Sequence, residues 1–251
     1  MDHVICMVPA APVRKKASHK VEMSNQLLFG EVMRVIDVRK SWLKIQSVHD
    51  NYEGWIRNNL ISVVEKIPDN SFVAGELINK LRLGEQHMLI PFGSSLPGYE
   101  NGDGEIGGKR YHFDGYAVNR SLSVPDEQTI RQLTSSWLNA PYLWGGRTIL
   151  GVDCSGFVQV IFKMMGLDLL RDAKQQIGQG MKVKKLQSAQ CGDLAFFEKK
   201  NKIVHVGILL SSSEIIHASG KVRIDSIDEK GIIQNESGKR THRLAGIRRY
   251  W

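Results

Sequence analysis

"GVDCSGFVQVIF", Gly151 to Phe162, decides how the last half of the chain is read. Asp153 is an N-cap residue type directly before a run whose apolar members recur at helical spacing: Phe157, Val158, Val160, Ile161, Met164 and Met165, ending at Gly166. A helix therefore starts at Cys154 and carries that thiol in its first turn. The positive end of a helix dipole favours thiolate over thiol, and the thiolate is the form that attacks a carbonyl carbon. Cys154 also lies three, four and seven residues before Phe157, Val158 and Ile161, so it shares their buried face.

Three strand-like segments follow, "GDLAFFEKK", "NKIVHVGILL" and "SEIIHASG", and they read as an antiparallel meander packed on that face. Two of them carry histidines, His205 and His217. One histidine in an apolar strand is by default a satisfied core residue. Two on neighbouring strands, facing a helix that opens on a cysteine, can supply nucleophile, base and base-orienter. For the two to stand directly opposite each other, the turn within "LSSSE" must hold an odd number of residues and be centred on Ser211. One cysteine and two histidines without a fourth nearby ligand make a poorer zinc site than a catalytic set, so neither metal nor cofactor is expected.

The rest of the chain sets the context. Its 251 residues hold two or three small modules, and 42% hydrophobic with 24% charged residues is an ordinary folded composition. Cys6, Cys154 and Cys191 are odd in number and lack CxxC spacing, which argues against a disulfide framework. The net charge of +8 is spread along the chain without a nucleic-acid motif, so no nucleic-acid partner is expected. No run approaches the ~20 apolar residues of a membrane span. The opening "MDHVICMVPAAPVRKK" lacks the form of a secretion signal, which places the sequence as it stands in the cytoplasm. Removal of a leader would place it in the cell envelope.

Before residue 123 the chain repeats itself. "YEGWIRN" (Tyr52 to Asn58) echoes "FDGYAVN" (Phe113 to Asn119), and "LLFGE" (Leu27 to Glu31) echoes "LRLGE" (Leu81 to Glu85), a unit of ~55 residues. Each copy is rich in β-branched and aromatic residues between polar turns, as in a small antiparallel barrel. "NGDGEIGG" contains a GxGxxG at Gly102, Gly104 and Gly107, but "KRYHFDGY" after it reads as a strand. A dinucleotide loop must lead into a helix, so a hairpin tip is predicted instead. From Pro125, the acids Asp126 and Glu127 and the apolar Ile130, Leu133 and Trp137 mark a helix and the start of a third module. The expected organisation is a first barrel over residues 1–64, a divergent second over 65–122, and an α+β domain over 123–251.

The motifs "VDCSGFVQ", "GDLAFF", "HVGILL" and "IIHAS", in that order, resemble those of the NlpC-type cell-wall cysteine peptidases, a papain-like family. The resemblance covers residues from near 125 to the end. "YEGW" resembles the strand signature of bacterial Src-homology-3-type barrels, and with "YLWGG" the whole chain is similar to γ-D-glutamyl-L-diamino acid endopeptidases. The resemblance implies a papain-like domain after two small barrels, with Cys154 as nucleophile, His205 as general base and acid, and His217 orienting His205. It implies that Tyr142, Asp153, Ser155, Arg171 and Asp172 line the cleft, an arginine there suiting the α-carboxylate of D-Glu. A solvated loop pair is the competing reading of Arg171 and Asp172. Glu22 and Tyr52 match an acid and a tyrosine that bind a free N-terminal L-Ala amine, which implies released muropeptides as substrate. An exposed barrel carboxylate is the competing reading of Glu22. Cys191 stands where relatives have proline. The expected protein is a monomer that cleaves the bond from γ-D-Glu to L-Lys or meso-diaminopimelate. An amidase or acyltransferase with the same triad, and an inert cell-wall peptide-binding protein, remain as alternatives.

Overall fold

The computed structural model describes residues 2–251, which fall into two compact units. The first comprises the chain up to Ser123 together with Trp144–Ile149; the second comprises Val124–Leu143 and Leu150–Trp251.

The first unit opens with β1 (His3–Cys6), β2 (Ala10–Arg14), β3 (Met23–Leu28), β4 (Val32–Arg39), β5 (Trp42–Ser47), β6 (Glu53–Arg57) and β7 (Ile61–Val64). They form one antiparallel sheet in the order β3-β2-β6-β5-β4-β1-β7. Leu27 of β3 shares a core with Cys6 of β1, Ile45 of β5 and the half-buried Ile61 of β7. Strands from both edges thus close over the same apolar face, as in a small barrel. The second stretch comprises β8 (Phe72–Ala74), β9 (Ile78–Leu83), β10 (Gln86–Pro91), β11 (Asp103–Ile106), β12 (Lys109–Phe113) and β13 (Ala117–Asn119). They give a four-stranded sheet, β10-β9-β12-β11, and a β13-β8 pair. Its core of Leu81, Leu83, Ile90, Tyr111 and Phe113 takes in Ile5, Phe29 and Val32 from the first stretch.

The repeat is visible in backbone geometry. Gly30 and Gly84 both turn the chain at positive φ after β3 and β9. Strands β6 and β13, in the two aromatic-Gly echoes, both run into a 3-10 turn. The GxGxxG segment is a hairpin: Gly107 (φ 56°) and Gly108 (φ 75°) form the two-residue turn between β11 and β12. β14 (Arg147–Thr148) also belongs to this unit. There the guanidinium of Arg147 makes a buried two-pronged pair with Glu31, at 2.7 and 2.9 Å.

The second unit contains α1 (Glu127–Ser135), β15 (Gly151–Val152), α2 (Cys154–Met164), α3 (Ala173–Gln176), β16 (Met181–Val183), β17 (Leu194–Lys199), β18 (Lys202–Leu209), β19 (Glu214–Ser219), β20 (Lys221–Asp228), β21 (Gly231–Ile233) and β22 (Arg240–Arg249). The strands from β16 onward form an antiparallel sheet in the order β16-β22-β17-β18-β19-β20-β21. Helix α2 packs on β18 and β19, and α1 packs on α2. A cysteine-bearing helix on an antiparallel sheet, after small barrels, is the α+β papain-like class expected. Among the described residues no helix is long and apolar enough to cross a membrane.

Helix α2 departs from expectation in one respect. All its residues are buried, instead of an apolar stripe alone. The sheet covers one side; the Trp137 ring packs at a tilt against Phe157, centroids 5.7 Å apart, and Tyr250 and Trp251 pack against Phe162, on others. Among its polar members, the Gln159 amide N–H donates to the Leu169 carbonyl at 2.9 Å.

Candidate active site

The site in the second unit begins with the cap of α2. Asp153 Oδ1 accepts from the Gly156 N–H at 2.7 Å, which fixes the first helical turn and Cys154 with it. The Cys154 sulfur lies beside the backbone N–H groups of Ser155 and of Val206, the residue after His205 on β18. The helix start was expected to favour thiolate. Burial overrides it and pushes the Cys154 thiol up to about 12; the Asp153 charge adds to the rise, and Val206 and Arg171 only partly offset it.

His205 and His217 are 5% and 1% exposed, and His205 Nε2 is 2.8 Å from His217 Nδ1. They do not stand directly opposite. Leu209 pairs with Ile215 and Ile208 with Ile216, so the turn is centred on Ser212, one residue beyond the expected Ser211. The odd count keeps both histidines on one face, and the shift makes them diagonal neighbours, within reach of long side chains. Gly207 then stands across from His217, where a Cβ would lie 2.8 Å from the His217 Cβ. Gly207→Ala is therefore expected to push β19 outward. It should cost about 1–3 kcal/mol in a urea titration and at least tenfold in hydrolysis rate; parent-like values in both would remove the packing argument.

The level of His205 is also where pairing slips on both sides of β17. Phe197 pairs with His205, while Glu198 pairs with Ile203, leaving an extra residue at Val204. On the other edge Phe196 pairs with Gly246 and Phe197 with Leu244. Such bulges re-aim side chains. Here they accompany two partners that sequence reading missed. His242 of β22 stacks on the His205 ring at 4.3 Å and 25°. Asp225 of β20 sits 3.1 Å from His217 Nε2. His205 is held well below its ordinary pKa by burial first, then by the cost of placing a positive charge beside the His217 and His242 rings. His242 is lowered to about 4, again chiefly by burial. The sequence signal for Asp225 was an acid and Arg223 two apart in an otherwise alternating strand; for His242 there was none.

Asp153, Ser155 and Arg171 come together. Arg171 Nη1 is 3.0 Å from Asp153 Oδ1 and 2.9 Å from Ser155 Oγ, and Nη2 is 2.7 Å from Asp153 Oδ2. Arg171 is 1% exposed, so the solvated-loop reading does not hold for it. Its bidentate partner in this structure is Asp153. Asp172 is more open, at the N-cap of α3, where its N–H donates to Gln175 Oε1 at 3.1 Å. Half-buried Tyr142 feels the charges of Cys154 and Asp153, which with burial, the leading cause, raise its phenol above the ordinary value. In the first unit, Glu22 is exposed just before β3, and the Tyr52 hydroxyl donates to the Ser24 carbonyl at 3.3 Å. Among the described residues, no three His, Cys, Asp or Glu side chains are arranged to hold a metal ion.

A buried histidine pair on an antiparallel sheet, with a cysteine at the start of the helix packed on it, defines the class of papain-like cysteine hydrolases. Residues 139–241 match the NlpC/P60 family, and residues 13–60 match the bacterial dipeptidyl-peptidase Sh3 domain. The chain is 31% identical over 217 residues to gamma-D-glutamyl-L-lysine dipeptidyl-peptidase of Bacillus subtilis, covering 78% of this chain and 72% of that one. It is 33% identical over 238 residues to dipeptidyl-peptidase 6 of Lysinibacillus sphaericus, covering 83% and 86%. A crystal structure of an NlpC/P60 family protein from Bacillus cereus superposes with a TM-score of 0.84 at 20% identity, over 99% of both chains. The chain belongs to the NlpC/P60 family of cysteine peptidases.

Proposed function

We propose that this enzyme hydrolyses the bond between γ-D-Glu and an L-diamino acid in peptidoglycan stem peptides, with Cys154 as nucleophile and His205 as base and acid. The observation that carries the reading is the His205–His217 hydrogen bond on the strand whose Val206 N–H meets the Cys154 sulfur. The name of the Bacillus subtilis relative supports the choice of bond. His205 takes the Sγ proton as sulfur attacks the γ-carbonyl, then gives it to the departing amine; water hydrolyses the thioester. The Cys154 backbone N–H at the helix start is the proposed oxyanion donor. His217 orients the His205 ring. Tyr142, Asp153, Ser155, Arg171 and Asp172 are proposed to form the binding wall, with Arg171 acting through the loop it fixes. Glu22 and Tyr52 are proposed to read the free L-Ala amine, which makes released muropeptides the substrate of an enzyme acting as a monomer.

Incubation with L-Ala-γ-D-Glu-L-Lys should release free lysine, Cys154→Ala should be silent, and the N-acetylated peptide should survive. Hydrolysis by Cys154→Ala would remove the nucleophile assignment. Equal rates on both peptides would remove the amine requirement and leave the peptidase. The same assay with meso-diaminopimelate in third position decides the diamino acid.

A further inference from the structure

Asp225 stands behind the two histidines. Its Oδ2 is 3.1 Å from His217 Nε2, and its Oδ1 accepts from the Asn235 N–H and from Arg223 Nη2, each at 3.0 Å. Burial alone would raise this carboxyl; the hydrogen bonds from His217, Asn235 and Arg223 outweigh it and hold the group at about 2. At neutral pH it is a carboxylate, and a carboxylate can only accept hydrogen bonds.

His217 Nε2, facing an acceptor, must carry hydrogen. A neutral His217 then has a bare Nδ1, which can only accept, so the hydrogen in the 2.8 Å contact belongs to His205 Nε2. That leaves Nδ1 as the bare nitrogen of a neutral His205.

We propose that Asp225 is a positioning residue that fixes the tautomers of both histidines in series and so makes Nδ1 of His205 the atom that receives the Cys154 proton. The proposal rests on the roles of Cys154 and His205 given above. In the step, the Sγ–H bond breaks and an Nδ1–H bond forms, and the resulting imidazolium keeps its Nε2–H on His217. No proton reaches Asp225. The new positive charge faces His217 from β19 and His242 from β22, and it is offset through His217 by the Asp225 charge, itself paired with Arg223, which also reaches Glu236. With Asn at position 225, the amide offers a donor and an acceptor alike, so His217 can turn its inventory round and leave hydrogen on His205 Nδ1.

The test uses the intact protein. Nitrogen-15 NMR of the imidazoles at pH 7 should find both His217 and His205 protonated at Nε2 and bare at Nδ1; His217 bearing hydrogen on Nδ1, alone or as imidazolium, overturns the proposal. Asp225→Asn should lower kcat on the order of 10²-fold or more, with KM within about threefold, and should show His205 hydrogen on Nδ1. Full kcat in Asp225→Asn, with Cys154→Ala silent, overturns this inference alone; activity in Cys154→Ala overturns the reading beneath it. If Asp225→Asn does not fold, the NMR result on the unaltered enzyme decides.

Discussion

Arg171→Met is expected to destabilise the protein by about 3–5 kcal/mol, because it leaves the Asp153 carboxylate buried without its counter-charge. Both side chains are almost wholly inaccessible, and the pair is bidentate, with a third hydrogen bond from Arg171 to Ser155. Removing one partner of such a pair costs far more than the pair contributes net, since the remaining ion has lost its solvation in water and keeps only neutral hydrogen-bond donors such as the Gly156 N–H in place of the opposite charge. The effect should reach the chemistry as well. Asp153 caps α2 through Gly156, and an Asp153 drawn towards water would unseat the turn that holds Cys154. A urea titration should therefore show a lower midpoint at unchanged slope, and hydrolysis should fall in kcat as well as in substrate binding. Asp153→Asn combined with Arg171→Met removes both charges and should recover much of the lost stability. A single variant within about 1 kcal/mol of the parent would mean that water already reaches the pair. A pure KM effect at full stability would return Arg171 to direct carboxylate binding.

That pair also shows where the sequence stops informing. Asp153 as cap and Cys154 at the helix start were legible because both are local: one side chain, one turn, one apolar run. The shared face of His205 and His217 was legible because strand parity is local too. Their register was not. "LSSSE" offers three successive serines with equal claim to the centre of the turn, and the choice of Ser212 follows from the pairing of Ile208 with Ile216. Asp225 and His242 come from β20 and β22, whose approach to His205 depends on long-range pairing and on bulges at Phe197. Nothing within a few residues of either specifies that. The rise of the Cys154 thiol was not legible for the same reason: the helix dipole can be inferred from a segment, whereas burial belongs to the assembled unit.

The second large effect follows from that burial. His205→Ala should lower kcat by about 10²–10⁴-fold, the range of a lost general base, and the pH profile of the parent should state which protons matter. The reactive form is the pair with one proton shared between Cys154 and His205. Adding a proton requires charging His205, which burial and the neighbouring histidines oppose, so its folded value lies below 6.5 and the acid limb of kcat should fall below pH 6.5. Removing the proton requires ionising Cys154, pushed up to about 12, so the enzyme itself imposes no alkaline limb between pH 7 and 10. The substrate can impose one. A peptide α-amine titrates at about 7.7–8.0, and if the cationic amine is what Glu22 and Tyr52 read, KM should rise above about pH 8 while kcat stays level. The split is diagnostic, because a thiol titrating near 8.5 would raise kcat instead. An acid limb above pH 6.5, or a kcat that climbs through pH 8–9, would show that burial does not set the protonation of this pair.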